Sequence, residues 1–514
     1  MIKGINILIF SLLGVGCFAQ PTFNKKYTYN RGNTAFFTVI PSDLGYFLSG
    51  TYQAADGSMH LDGFWSLVDL DGDIIHNEGW HSDTTDLGSF AGTNVLLADD
   101  DLLVNIITYA GRPYFVKSND LCDTVSVKPI NHFFDVDQMN LVVSANHVQT
   151  IHDSTYALSL GLQHQVDLST YIGLAFLDKD GNFISRKLYP NIPGFDNIVH
   201  RSMTLLDDGY LIGCNVRKLG ADENQRFHTR LIKTDFDGNA TTLKTFLDEN
   251  YEIGGFGITP TSDGGFLYGA KIGIWNDPSN AIDFESAIVK LDEDLNKEWV
   301  YKFGLPWGYE EISISEFIKT GIEEYVVGGY GVFEGIGYMT FLIKFNLDGD
   351  IIWDSYFRLA EIVDGYSGPV HHAHDFAITA DGGFVMAGEM WDYSAPSVGD
   401  TIHQAWLVKT DSFGCLVPGC QDVLGEGPDE KDFNFNFYPN PTSDFINIYY
   451  NSNSFDGEST IELYSINGQH VQSWSLGQNN MTYMLDLQGI NPGSYIMNLV
   501  NNGELRKSEK VIIQ

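Results

Sequence analysis

Basic side chains are scarce. The 514 residues hold 29 Lys and Arg against 67 Asp and Glu, a formal net charge of −38. Such a field repels phosphate backbones and anionic headgroups, which excludes nucleic acid and acidic membrane surfaces as partners. Cysteine is rarer still, with five in the chain and no CxxC pair, so a thiolate zinc site has no support. After an N-terminal apolar run, no stretch is apolar and long enough to span a bilayer. The chain also lacks a nucleophile elbow, a phosphate loop, an HExxH helix and a cluster of three arginines. Acidic residues are too plentiful for a glycosidase pair to be picked out by eye.

The N-terminal run has a short, specific form. Lys3 precedes apolar residues from Ile5 to Val15, and Cys17-Phe18-Ala19 stands before Gln20. This reads as a signal peptide over residues 1–19 and predicts an exported, soluble mature chain with no cofactor. Cys17 raises a lipoprotein alternative, although Gly14 stands where a lipobox would want Leu. Of the other cysteines, Cys415 and Cys420 flank a Pro-Gly turn and are expected to form a disulfide in an oxidising compartment. The pairing of Cys122 and Cys214 is left open.

What the chain has in abundance is turns. The segment from Gly255 to Gly304 holds two apolar hairpins, turning at Ser262-Asp263-Gly264-Gly265 and at Asp292–Asn296, joined by a longer polar loop. Gly and Asp supply the positive-φ conformations of tight hairpins, and the β-branched and aromatic flanks suit pleated strands. The first turn recurs at Ser42, Asp99, His152, Asp207, Thr320 and Thr379, at intervals of roughly 53 to 60 residues. The second recurs at Asp69, Asp178, Asp235 and Asn346, each preceded by an apolar run such as RLIKTD, FLIKFN or WLVKTD. The second repeat (Asn94–Ile130) is the most eroded, with Tyr114–Lys117 and Cys122–Val127 as its later strands.

Seven four-stranded units predict an all-β chain with a seven-bladed β-propeller over residues 20–420. An open solenoid is the alternative. The seventh unit supplies three strands, and an N-terminal strand at about 25–32, matched to Lys297–Gly304, is expected to complete it and hide its edge.

Residues 421–432 form a Gly/Pro/acidic linker, and from 433 to 514 the repeat pattern stops. Alternation in Ile446–Tyr450, Ile461–Tyr464, Tyr483–Leu487 and Tyr495–Val500 predicts a small Ig-like β-sandwich. Tyr438-Pro439-Asn440-Pro441, the LYSINGQHV segment with Gly468, the NPGSY segment with Gly493 and Tyr495, and the final Lys510-Val511-Ile512-Ile513 come in that order. In these motifs the last eighty or so residues resemble the C-terminal sorting domain of the type IX secretion system of Bacteroidetes. The resemblance implies delivery through the periplasm to an outer-membrane translocon, then surface anchoring or release. A carbohydrate-binding or fibronectin-like module is the alternative. The repeats themselves resemble uncharacterised repeat proteins that accompany such tails, a likeness that carries no chemistry.

Candidate site residues gather on the varied loops opposite the tight turns, where function usually sits on a rigid scaffold. Trp80, His200, Trp275, Trp307, Tyr309 and Trp391 are candidates for holding a glycan or a protein. Each could equally pack a seam between repeats. His371-His372-Ala373-His374-Asp375 is the densest metal-like cluster, in which His372 and His374 face one way at strand spacing and a third ligand is expected from another repeat. The DxDG[ND] turns resemble half a calcium loop but lack its closing Glu, so calcium is the lesser reading there. Two function classes emerge: a secreted or surface-displayed binding protein, or an exported enzyme such as a glycoside hydrolase or polysaccharide lyase. A pair of carboxyl groups, or a His/Tyr cluster, with perturbed pKa values would favour the enzyme.

Overall fold

The computed structural model describes residues 22–29, 33–53, 61–80, 87–88, 96–97, 102–109, 112–130, 139–151, 155–164, 166, 169–189, 192–220, 227–247, 252–275, 282–302, 312–333, 337–357, 370–391, 403–416, 435–438, 440–442, 445–450, 459–465, 469–476, 482–501 and 504–513. The fold is all-β, with no helix among these residues.

Strand β1 (Phe23–Tyr27) opens the chain. The first sheet is β2 (Thr34–Ser42), β3 (Gly45–Gln53), β4 (Leu61–Val68) and β5 (Ile74–Trp80). The second has short β6 (Leu87–Gly88) and β7 (Leu96–Leu97), then β8 (Leu103–Tyr109), β9 (Arg112–Ser118) and β10 (Thr124–Pro129). The third is β11 (Met139–Ile151), β12 (Thr155–His164), β13 (Thr170–Leu177) and β14 (Phe183–Tyr189). The fourth is β15 (Phe195–Leu206), β16 (Gly209–Lys218), β17 (Phe227–Thr234) and β18 (Ala240–Thr245). The fifth is β19 (Glu252–Pro260), β20 (Phe266–Trp275), β21 (Ile282–Leu291) and β22 (Lys297–Lys302). The sixth is β23 (Ile312–Lys319), β24 (Glu324–Phe333), β25 (Gly337–Asn346) and β26 (Ile351–Phe357). The seventh takes β27 (Val370–Ile378), β28 (Phe384–Trp391) and β29 (His403–Thr410), with β1 on its outer edge.

Packing explains the sequence pattern. Middle strands are covered on both faces, so β3, β4 and β16 read as nearly unbroken buried runs. The outermost strands mix half-buried with exposed residues, as in β10 and β18. Successive residues point to opposite faces: Tyr210, Ile212 and Cys214 join a core with the third sheet, whereas Leu211 joins one with the fifth. Buried apolar clusters fill the seam between each sheet and the next. A further cluster joins the seventh sheet to the first, placing Val385, Ala387 and Leu407 with Phe36, Leu48 and Phe64.

A turn capped by its own first side chain ends the third strand of each unit. In the turns beginning at Asp69, Asn119, Asp178, Asp235, Asp292, Asn346 and Asp411, the first residue's Oδ1 accepts the fifth residue's backbone N–H at 2.7–2.8 Å. The fourth residue sits at positive φ, between 62° and 87°. Glycine fills it in five copies, and Cys122 and Leu295 in the other two. Cys122 therefore belongs to a turn, which corrects the strand expected over Cys122–Val127: the later strands of that sheet are Arg112–Ser118 and Thr124–Pro129. Cys122 and Cys214 are free, buried thiols in different sheets. Cys415 is buried and not among the free thiols; Cys420 lies outside the described residues.

The N-terminal strand shows what joins neighbouring sheets. Lys187 on β14 donates to Asn239 Oδ1 and Tyr189 to the Gly238 carbonyl, each at 2.8 Å, in the turn of the next sheet. Lys25 and Tyr27 on β1 do the same to Asp73 Oδ1 and the Gly72 carbonyl of the first sheet, also at 2.8 Å. The strand lies at Phe23–Tyr27 rather than 25–32, and its register differs from the expected match. That match set Tyr27 against Trp299. In the structure Phe23 pairs with Lys409 as Trp299 pairs with Lys290, so Phe23 takes the place equivalent to Trp299. The offset is even, so the same faces point inward under either alignment, and alternation alone does not separate them.

Two of the first turns are anchored by a buried lysine. Lys409 Nζ lies 3.0 Å from Asp381 Oδ2, and Lys290 Nζ lies 2.8 Å from Asp263 Oδ2. The Lys409 side chain is fully buried and that of Asp381 is 8% exposed. Lys409→Met should therefore cost roughly 3–5 kcal/mol, because it strands a buried carboxylate. Adding Asp381→Asn should recover part of the loss in urea unfolding; a double variant whose loss equals the sum of the two single losses would show the pair to be uncoupled.

Candidate functional site

The first strands of five sheets carry one extra residue at equivalent registers. Phe37, Arg201, Gly255, Ser315 and His374 each lack a direct partner on the second strand. A bulge of this kind re-aims the side chains around it. In the seventh sheet Gly388 makes room for the arrangement, since a Cβ there would lie 1.8 Å from the His372 carbonyl oxygen. His372 pairs directly across from Glu389, and His374 is brought back toward the same carboxylate.

Three histidines converge on Glu389. His374 Nε2 lies 3.3 Å and His372 Nδ1 3.6 Å from Oε1, while His403 Nδ1 lies 3.7 Å from Oε2. Burial pushes the Glu389 carboxyl up, but the bonds to His372, His374 and His403 outweigh it and hold the group far below the usual carboxylate range. Glu389 is thus fixed as an anion. Aromatic rings from three sheets wall the group. Tyr330 on β24 lies 4.1 Å from His372, Phe37 on β2 lies 4.9 Å from His374, and Trp391 stacks 4.4 Å from His403, all between ring centroids. The cluster occupies the end of the sheet from which residues 392–402 connect β28 to β29, opposite the tight turns at Thr379–Gly383 and Asp411–Cys415.

Beside it, next to the bulges of β23 and β27, stand Glu316 and Asp375. Burial, with the nearby Asp375 charge, pushes Glu316 up to about 8. Burial pushes Asp375 up to about 7, against the N–H groups of Val39 and Phe376 that favour its charged form. Val39 N–H reaches Asp375 Oδ2 at 2.8 Å across the seam to the first sheet.

Among the expected ligand residues, Trp391 belongs to this cluster. Trp80 instead donates to Thr124 Oγ1 at 3.1 Å and meets Trp65 edge-on, packing the seam between first and second sheets. His200 and Trp275 lie on β15 and β20, where their backbones alone are described. Trp307 and Tyr309 fall outside the described residues. His372 and His374 both reach Glu389 Oε1. Their third partner comes from the same sheet, not from another repeat, because the bulge folds His374 back over β28. Glu389, His403, Tyr330 and Phe37 were not among the sequence candidates. The one visible signal was Glu389 itself, an acid inside the otherwise apolar run Phe384–Trp391.

The C-terminal strands form two sheets around one core. β30 (Phe435–Tyr438), β31 (Phe445–Tyr450) and β34 (Thr482–Asp486) face β32 (Ser459–Ser465), β33 (His470–Leu476), β35 (Gly493–Asn501) and β36 (Glu504–Ile513). Asn440 clamps the last strand: its Nδ2 donates to the Lys510 carbonyl, and its Oδ1 accepts the Ile512 N–H, each at 2.8 Å. Tyr495 is buried and donates to the Asn491 carbonyl at 2.6 Å, at the turn before Gly493. The motif residues at the two ends of this region therefore meet in space. The Tyr438 side chain, Pro439 and Gly468 lie outside the described residues, and Pro441 comes after a cis peptide bond.

Residues 436–514 match the family described as Secretion system C-terminal sorting domain. This region is a type IX sorting domain. The sorting domain marks the protein for secretion or display at the cell surface and implies contact with the secretion machinery. No helix among the described residues is long and apolar enough to cross a membrane. No curated protein matches the chain significantly. Similar solved structures include Drosophila Plexin A in complex with Semaphorin 1b, at 8% identity over 79% of this chain and 88% of that one, TM-score 0.41. The GH93 α-L-arabinofuranosidase of Fusarium graminearum matches at 13% identity over 62% and 92%, TM-score 0.40. A PL25 ulvan lyase matches at 10% identity over 77% and 97%, TM-score 0.45. At these scores the likenesses carry no inference about activity.

A carboxyl group whose folded pKa is raised binds protons that the unfolded chain releases, so it favours the fold at low pH and disfavours it as pH rises. For Glu316 the window runs from about 4.5 to about 8. Glu316→Gln should flatten the fall in stability between pH 5 and 8, by on the order of 2 kcal/mol. Parallel wild-type and variant profiles of melting temperature against pH would contradict this.

Proposed function

We propose that this chain is an exported β-propeller binding protein that holds a glycan or protein ligand at the end of the ring where the Glu389 cluster lies. In this reading the seven sheets of residues 20–420 are seven blades, with β1 closing the last, and the sorting domain is an Ig-like sandwich reached through a linker at 421–432. A Cys415–Cys420 disulfide would secure the exit from the last blade, and residues 1–19 would be removed on export. The supporting observation is the Glu389 cluster. Rings from three neighbouring sheets surround a fixed anion and three imidazoles, giving flat apolar surface beside hydrogen-bonding groups. Those are the features that stack on and orient a sugar ring or an exposed peptide.

A second reading, an exported glycoside hydrolase or polysaccharide lyase, is favoured by the adjacent carboxyl groups of Glu316 and Asp375 together with the His/Tyr cluster. Glu389 itself is poorly suited to proton transfer in either reading, being held ionised by its three partners.

The full chain should be retained on one member of a panel of polysaccharides and host glycoproteins, with chain ends measured in the same samples. Trp391→Ala should weaken retention roughly tenfold, as truncating a central aromatic anchor does. Retention without new chain ends supports the binding protein. Cleavage that Glu316→Gln abolishes supports the enzyme, and retention unaffected by Trp391→Ala would move the ligand away from this cluster.

A further inference from the structure

The same side chains have a second use, independent of any glycan or protein. We infer that His372, His374 and Glu389 bind one divalent transition ion of the zinc type, with His403 held by the free carboxylate oxygen beside it.

Spacing is the first support. The three donor atoms lie within 4.8 Å of one another. Zinc bonds to imidazole nitrogen and carboxylate oxygen at about 2.0–2.1 Å, so two ligands at tetrahedral corners stand roughly 3.3–3.4 Å apart. Glu389 Oε1 stands 3.3 Å from His374 Nε2 and 3.6 Å from His372 Nδ1. The second distance is long for a hydrogen bond and close to a ligand–ligand edge. The two imidazole nitrogens are within 4.8 Å of each other, so small ring rotations that draw them together would close all three donors on one ion.

Chemistry and surroundings agree with the spacing. Two imidazoles and one carboxylate suit zinc and its neighbours, whereas calcium and magnesium take mainly oxygen donors. The single negative charge offered by neutral imidazoles and one carboxylate partly neutralises a dication. Metal-binding rings are held by their surroundings, and here Tyr330 backs His372 while Phe37 backs His374. All three ligating side chains are 11–14% exposed, enclosed yet reachable. His403 is 32% exposed and its Nδ1 approaches Glu389 Oε2, not Oε1. That arrangement leaves the fourth corner to water or to a bound ligand. His76, Glu78 and Asp123 form another group within ligand distance of one another, but on an outer strand and an exposed turn, with His76 41% and Asp123 56% exposed.

The test uses the full chain, stripped with a chelator and titrated with Zn²⁺ alone, then with Co²⁺ as a spectroscopic probe. One equivalent of zinc should bind and raise the melting temperature, and Co²⁺ loaded into the stripped chain should give visible bands of a four-coordinate site that added zinc abolishes. His374→Ala and the near-isosteric Glu389→Gln should each weaken zinc at least 100-fold while His76→Ala leaves it unchanged. Absence of a stoichiometric ion in the wild type would overturn the assignment, without bearing on ligand retention. So would zinc binding that survives Glu389→Gln in a folded variant, or that is lost on His76→Ala.

Discussion

The ladder between β1 and β29 is the contact on which the arrangement of sheets depends. It pairs Phe23 with Lys409 and Tyr27 with Ala405, nearly four hundred residues apart in the chain. Without it β29 would present an unpaired edge to solvent, a template for association with other chains. β1 also carries the joint that other outer strands use. Lys25 and Tyr27 reach the turn of the first sheet as Lys187 and Tyr189 reach that of the fourth. The buried cluster between the seventh and first sheets includes Phe23 and Tyr27, so the start of the chain is part of the core as well as of the ladder.

The candidate site arises from a departure from that regularity. A bulge recurs at one register of the first strands, but only in the seventh sheet does it carry His374, beside His372 and opposite Glu389. Holding a carboxylate among half-buried groups is costly unless it is paired, and here three imidazoles provide the pairing. Next to it, on β23 and β27, the reverse holds: Glu316 and Asp375 are crowded together, and burial favours their protonated forms. One carboxyl group kept charged and two pushed toward neutrality, within adjoining strands, is a polarised environment that uniform core packing would not produce.

Much of the architecture was legible because it rests on local chemistry. A turn that needs an Asp or Asn cap and positive φ announces itself as Asp-x-x-Gly, and strands covered on both faces announce themselves as apolar runs. The tail motifs were legible for a related reason, since Asn440 and Lys510 are defined by sequence order even though they meet across the sandwich. The remainder depended on long-range register. The turn at Asn119 carries Cys122 where five of its sisters carry Gly, and it read as a strand. Glu389 became a partner of His374 only through a bulge, and Tyr330 and Phe37 reached the cluster from other sheets. Trp80 looked like its fellow candidates in sequence, yet packs a seam.

The most direct test of this account is amide hydrogen exchange across Phe23–Tyr27 in the full chain. If β1 is an integral strand of the seventh sheet, its ladder amides should be protected to the same degree as those of β28, because both open only with the sheet as a whole. Exchange of Phe23–Tyr27 at free-chain rates while β28 stays protected would contradict it. The last sheet would then end at β29, and the continuity from the seventh sheet to the first would fail.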